Sequence, residues 1–308
     1  MRTSLDLFFH FVTRSAQLPE ELRQRHRNWL VRQQRLDGGF AGRSGNSNLY
    51  YTGFGARLCA ILWAEGKDPW MSMMRYLVSQ LQTINSLVDL ASAATVYALL
   101  RILVNESLSQ QLLGPLRQRG ERLLTLLNRA DGGYAKSEHS GFGSTYATFL
   151  ALNAMNILEI PFPDAERIVA FVRSRQRHDG GFADVPQAHH AATNPTAAAV
   201  SILADVNGLD RIDACKVIQY LHGMQRPDGG FAAGPFAPVS DLLSTCAALS
   251  ALWILDTSNV SRLDVTRIEA FVKDLENPEG GFKGCSRDDQ PDVEYTFYGL
   301  ATLALFRP

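Results

Sequence analysis

Gln176-Arg177-His178-Asp179-Gly180-Gly181-Phe182 is one of five variants of a single turn in this chain. The others read Gln34-Arg35-Leu36-Asp37-Gly38-Gly39-Phe40, Asp131-Gly132-Gly133-Tyr134, Gln225-Arg226-Pro227-Asp228-Gly229-Gly230-Phe231 and Glu279-Gly280-Gly281-Phe282. From Asp131 the acidic position advances by 48, 49 and 51 residues to Asp179, Asp228 and Glu279. The 94 residues between Asp37 and Asp131 hold two such steps, which predicts a degenerate unit near Ile84. A period in the range of about 20 to 50 residues marks a repeat architecture, and this one predicts six units. Within each turn the glycine pair supplies left-handed backbone at a helix end, and the preceding acid bonds nearby amides. The following aromatic fills the gap between units. The turns therefore read as structure, not as sites.

Two kinds of helical run alternate between the turns. From Asp164 to Gln176, Ile168, Val169, Phe171 and Val172 share one face, Glu166, Arg167, Arg173 and Arg175 lie elsewhere, and Asp164 is placed to cap the start. That is a half-exposed helix. The runs Tyr146 to Leu158, Leu242 to Leu255 and Thr296 to Phe306 are apolar nearly all round and rich in small residues, so they are buried on both sides and packed closely. An inner ring of such helices wrapped by an amphipathic outer ring satisfies both patterns. The expected fold is all-α, an α/α toroid of six helix pairs, and residues 1–308 read as one domain without a linker.

With a formal charge of −1 and Lys and Arg scattered along the helices, the chain lacks the basic footprint of a nucleic-acid or anionic-membrane binder. The apolar run Leu5 to Val12 is broken by His10 and is too short to span a bilayer. Cys59, Cys215, Cys246 and Cys285 share no metal or redox spacing and read as free thiols, Cys246 as a buried structural one. With no signal segment recognised, a cytoplasmic protein is expected.

Repeats of Gln-x-x-Asp-Gly-Gly-Phe, each followed by a loop and an apolar helix opening with Thr and an aromatic, resemble the terpenoid-cyclase and protein-prenyltransferase superfamily. The likeness covers nearly the whole chain and is greatest to the β-subunits of protein farnesyl and geranylgeranyl transferases. It implies a six-pair toroid, a zinc ion and a diphosphate site. The Asp-x-Asp-Asp acid of the squalene cyclases is absent; Asp288-Asp289, in a polar loop, is the nearest approach. The zinc ligands that the resemblance implies fall on Asp241, Leu243 and Tyr295, where the family has Asp, Cys and His. Two of the three are replaced, so no metal site and no zinc cofactor are expected. The family's diphosphate loop becomes Phe231-Ala232-Ala233-Gly234-Pro235-Phe236-Ala237, without its Arg and Lys. His190, beside His189, takes the place of a family histidine, at a longer spacing to Thr196.

Arg43 carries in the first repeat the Gly-Arg spacing that the later repeat lacks. It reads either as an anion contact at the cavity mouth or as a loop arginine paired with a carboxylate. Asp241 and Asp292 suit helix caps, and Glu294, beside Tyr295, suits a general acid or base in a glycosidase-like site. Asp241, Glu294, Tyr295 and His190 are the catalytic candidates. Tyr50, Tyr51, Phe54, Phe142, Tyr146, Phe149, Tyr295 and Tyr298 cluster near inner-helix starts, as core packing or as the lining for an isoprenoid or an apolar peptide. Arg43, Tyr50, Tyr51, Phe54, Tyr146, Phe149 and Tyr298 are the ligand-binding candidates. Three readings follow: a toroid that binds an apolar ligand without zinc-dependent prenyl transfer, an atypical transferase or lyase on prenyl diphosphates using Arg43 and His190, or a scaffold. In the last, Leu5 to Val12 or the outer helices dock a helical partner of the α-subunit kind.

Overall fold

The computed structural model describes residues 3–62, 68–104 and 106–307. A helix α1 (Ser4–Ser15) precedes six pairs: α2 (Glu20–Gln33) with α3 (Leu49–Ile61), α4 (Asp68–Gln80) with α5 (Leu87–Leu103), and α6 (Glu106–Leu127) with α7 (Thr145–Ile157). The series continues with α8 (Ala165–Ser174) and α9 (Thr193–Asp205), then α10 (Ala214–Gly223) and α11 (Leu242–Leu255). After a short α12 (Thr257–Ser261), α13 (Val265–Asp274) and α14 (Val293–Leu305) complete it. The second helix of each pair packs on the second helix of the next, and α14 packs back on α3, so the inner ring closes. The expected α/α toroid is the observed fold.

The recurring turn works through a small set of bonds. Gly38, Gly132, Gly180, Gly229 and Gly280 all sit near φ +90° to +101°, where a side chain is strained. At Gly180 a Cβ would also lie 2.5 Å from the Lys216 carbonyl oxygen. In the four turns that carry Asp, its Oδ1 accepts from the second glycine amide, as at Asp179 and Gly181 (3.1 Å). The aromatic then donates its own amide to a threonine three residues past the start of the inner helix. The pairs are Phe40 with Thr52, Tyr134 with Thr148, Phe182 with Thr196, Phe231 with Thr245 and Phe282 with Thr296, at 2.9 to 3.0 Å. This bond is why a Thr follows each Gly-Gly-aromatic turn in the sequence. The degenerate unit forms as expected around a buried Ile84 between α4 and α5, with Leu90 at the threonine position.

Thr196 is fully buried, accepts from the Phe182 amide at 2.9 Å and donates to the Ala192 carbonyl at 2.7 Å. Thr196→Val keeps the shape but strands a buried N–H, so a loss of about 1–3 kcal/mol is expected. Urea unfolding of the two proteins measures it, and equal midpoints would remove the bond from any part in stability.

Helix α1 changes one expectation. Its Leu7 and Phe11 are buried, and its ends are tied to opposite sides of the ring. The Ser4 hydroxyl donates to Asp205 at the end of α9 (3.1 Å), and the Ser15 hydroxyl to the Ile61 carbonyl at the end of α3 (2.7 Å). The segment Leu5 to Val12 therefore spends its apolar face on the toroid's own floor, leaving Leu5 and Phe9 exposed, because the C-terminal ends of the inner helices need a cover. All four cysteines are free, with Cys59 and Cys246 buried. Among the described residues no helix is long and apolar enough to cross a membrane.

Candidate functional site

Each inner helix turns one stripe toward the ring axis. Residues one, five and eight places past the helix start lie on a single helical face. In α3 these are Tyr50, Phe54 and Arg57, in α7 Tyr146, Leu150 and Asn153, and in α14 Glu294, Tyr298 and Ala301. Within an otherwise buried ring, Tyr50, Arg57, Tyr146, Leu150, Asn153 and Tyr298 keep partial exposure, which marks an axial cavity. With a rise of about 1.5 Å per residue, its first and third layers lie roughly 10 Å apart.

The mouth holds a cavity of about 350 Å³ lined by Arg43, Tyr51, Asp288, Asp292, Glu294 and Tyr295, among others. Arg43 Nη2 donates to Asp288 Oδ2 at 2.6 Å and its Nε to Asp292 Oδ2 at 3.1 Å, with the guanidinium 5.5 Å from the Tyr295 ring centre. The arginine thus reaches the mouth and is already paired there, and its hydrogen bond holds the Asp288 carboxyl below the usual range. Asp292 Oδ1 caps α14 by accepting from the Tyr295 amide (2.9 Å), while burial pushes its carboxyl up.

Glu294 stands on the first turn of α14 and is only 9% exposed. The Tyr50 hydroxyl donates to its Oε1 at 2.6 Å. Burial pushes the Glu294 carboxyl up to about 7; the Tyr50 bond opposes this, the Asp292 charge adds to it and Arg43 subtracts. Tyr50 is itself raised, by burial first and then by the Glu294 charge. The pair places a group able to give or take a proton near neutral pH at the rim of an aromatic cavity.

The structure brings most of the sequence candidates together. Tyr50 meets Tyr51 at 5.2 Å and Phe54 at 5.1 Å, Phe54 meets Tyr298 at 5.4 Å, and Tyr298 lies 6.4 Å from Tyr295. Tyr146 and Phe149, 6.4 Å apart, face them from α7, and the Glu294 charge contributes to raising Tyr146 after burial. His190 is different: it sits exposed in a loop, 5.0 Å from the Phe236 ring, because the longer spacing to Thr196 carries it away from the helix start. Phe142, 46% exposed, is likewise outside the lining. Sequence reading missed Arg57, whose one signal is a charge inside an otherwise apolar inner helix, and missed the Asp288 partnership with Arg43.

At the positions where the resemblance implies zinc, the side chains do not fit the metal. Asp241 caps α11, its oxygens accepting from the Ser244 amide (2.7 Å) and hydroxyl (2.8 Å). Leu243 has no lone pair, and burial holds the Tyr295 phenol far from ionisation. Among the described residues no three His, Cys, Asp or Glu side chains are grouped to hold a metal ion.

The profile of the prenyltransferase alpha-alpha toroid domain matches residues 3–213 and 196–307. The chain belongs to this family. Its toroid resembles the protein geranylgeranyltransferase-I of Candida albicans, solved with GGPP, with a TM-score of 0.68 at 15% identity over 92% of this chain and 91% of that one. An unsaturated glucuronyl hydrolase specific for heparin gives 0.65 at 13% identity, over 93% and 96%. A variant of the type II terpene cyclase MstE from Scytonema, in complex with geranylgeranyl dihydroxybenzoate, gives 0.59 at 12% identity, over 96% and 97%. At these identities the likeness shows the toroid's fold alone. No curated protein sequence matches the chain.

Proposed function

We propose that this toroid binds an apolar ligand, an isoprenoid chain or an apolar peptide, in its axial cavity, without zinc and without zinc-dependent prenyl transfer. The observation that carries the reading is the charge at the mouth. Asp288 and Asp292 together outnumber Arg43, which both of them hold, and Glu294 adds a further negative charge as it ionises near pH 7. A diphosphate placed there would meet carboxylates in a partly desolvated site, where like charges are costly. Below the rim, Tyr50, Phe54 and Tyr298 converge with Tyr146 on the axis and suit a hydrocarbon. The geranylgeranyl compounds in two of the similar structures fit the same reading.

Calorimetry with farnesol and farnesyl diphosphate, together with elemental analysis of zinc, tests this. The expected outcome is farnesol binding in the micromolar range, diphosphate binding at least about tenfold weaker, and zinc well below one ion per chain. Diphosphate binding tighter than the alcohol, with stoichiometric zinc, would restore a transferase. Binding of neither compound nor of an apolar peptide would leave a scaffold that docks a helical partner.

A further inference from the structure

The third layer of the cavity has a composition unlike the rest of the inner ring. Eight residues past their helix starts, α3, α5, α7, α9 and α11 carry Arg57, Thr95, Asn153, Ser201 and Ser250, and only α14 breaks the series with Ala301. The layer above is mostly apolar: Phe54, Leu150, Ala198, Ala247 and Tyr298, with Ser92. Five polar side chains at one depth, on five different helices, form a ring around the axis.

Arg57 is the charged member and has little to satisfy it. Its Nη2 donates to Thr95 Oγ1 at 3.0 Å, and that hydroxyl donates onward to the Ala91 carbonyl at 2.9 Å. The guanidinium lies 5.2 Å from the Phe54 ring centre and 5.9 Å from that of Phe297. Among the described residues no carboxylate lies within ion-pair distance of it, whereas Arg43 at the mouth holds two carboxylates and Arg177 in its turn holds backbone carbonyls. Burial pushes its pKa down, yet a guanidinium stays charged. Asn153 and Ser201 have no hydrogen-bond partner among the described residues, and their polar atoms are not sealed away. Ser250 reaches only the Cys246 thiol. A half-buried cation with no counter-charge and with unused polar groups around it costs stability when the space is empty of anions, and gains from a negative group placed there.

The ring is a blind end, not a passage. Helix α1 spans the floor from Asp205 to Ile61, with Phe11 6.4 Å from Phe297 beneath Arg57. The carboxylates at the mouth repel an anionic head there, so a ligand with one anionic end is oriented with that end down. A single guanidinium with neutral hydroxyl and amide donors suits a monoanion and matches the fork geometry of a carboxylate.

We propose that Arg57, Thr95, Asn153, Ser201 and Ser250 hold the carboxylate of an elongated apolar monocarboxylic acid, whose hydrocarbon part runs up the axis past Phe54, Tyr298 and Tyr146. This rests on the reading that the cavity takes an apolar ligand. Farnesoic acid and farnesol, which share one chain and differ at its end, are measured by calorimetry on the wild type, Arg57→Met and Asn153→Leu. The wild type binds the acid at least about tenfold tighter than the alcohol. In Arg57→Met that preference disappears while farnesol binding persists, and the ligand-free variant melts above the wild type because an unpaired buried cation is gone. Asn153→Leu weakens the acid alone, by severalfold, and keeps the test available if Arg57→Met does not fold. Equal binding of acid and alcohol by the wild type overturns the carboxylate site and leaves the apolar-ligand reading standing. Binding of neither overturns both. A lower melting temperature in Arg57→Met with an unchanged preference makes Arg57 structural. An apolar tetrapeptide with a free C-terminus that outcompetes farnesoic acid makes the occupant a chain terminus and ends the assignment to a small acid.

Discussion

Replacing Glu294 by glutamine is expected to stabilise the protein by about 3 kcal/mol above pH ~8 and to change little below pH ~4. The carboxyl titrates near its ordinary 4.5 when the chain is unfolded, and near 7 in the folded toroid because burial disfavours its charge. Between these values the unfolded state is the one that has released the proton, so stability falls as pH rises through this window. The folded state has the full benefit of a neutral group below 4.5 and has lost it once pH passes 7. Glutamine carries no proton to lose and keeps the oxygen that accepts from the Tyr50 hydroxyl. Relief of the Asp292 carboxyl, which lies beside Glu294 in the same rim, acts in the same direction. Urea unfolding of both proteins across this range gives the difference directly, since the remaining groups titrate in both. A stability difference that does not change with pH would show that Glu294 ionises normally and would remove it as a proton donor near neutrality.

The repeats were legible because their chemistry is local. A left-handed glycine, an Asp two residues from the amide it bonds, and a Thr at a fixed place after the aromatic are all written within some 20 residues, as from Asp179 to Thr196. The aromatic lining was legible for a related reason: residues that open an inner helix must face the mouth once the ring is known. What could not be read was pairing across the closure of that ring. Arg43 meets Asp288 across 245 residues, and nothing near Arg43 in sequence names its partner. Arg57 was hidden differently. Its helix, Leu49–Ile61, reads as buried on both sides, and only the shared offset of Thr95, Asn153, Ser201 and Ser250 from their own helix starts reveals a polar layer. Those offsets need helix boundaries that the sequence places too loosely. His190 shows the converse, where a motif match survived a change in loop length that moved the side chain away.

Loss of His26 is expected to be the most damaging single change at the seam where the ring closes. The last turn carries Glu279 where the other four carry Asp, and its second glycine amide goes instead to His26 Nδ1 at 2.9 Å, across 255 residues of chain. The imidazole is fully buried, stacks on Phe282 at 4.8 Å and 9°, and meets Glu276 Oε1 at 3.1 Å through Nε2. An Nδ1 that accepts fixes the tautomer, so Nε2 carries the hydrogen and donates to the carboxylate. His26→Ala removes a stacked ring, strands the Gly281 amide in a buried place and takes a donor from Glu276. Together these place the loss at about 3–5 kcal/mol. His26→Phe restores the ring on Phe282 but no acceptor, and is expected to recover only part of that loss. Native-state hydrogen exchange should localise the damage: amides of residues 276–282 lose protection first, because the first and last units separate while α7, α9 and α11 remain packed on each other. Stability of His26→Ala within about 1 kcal/mol of the wild type would mean that the packing of α14 on α3 closes the ring unaided, and that the histidine only replaces a missing aspartate.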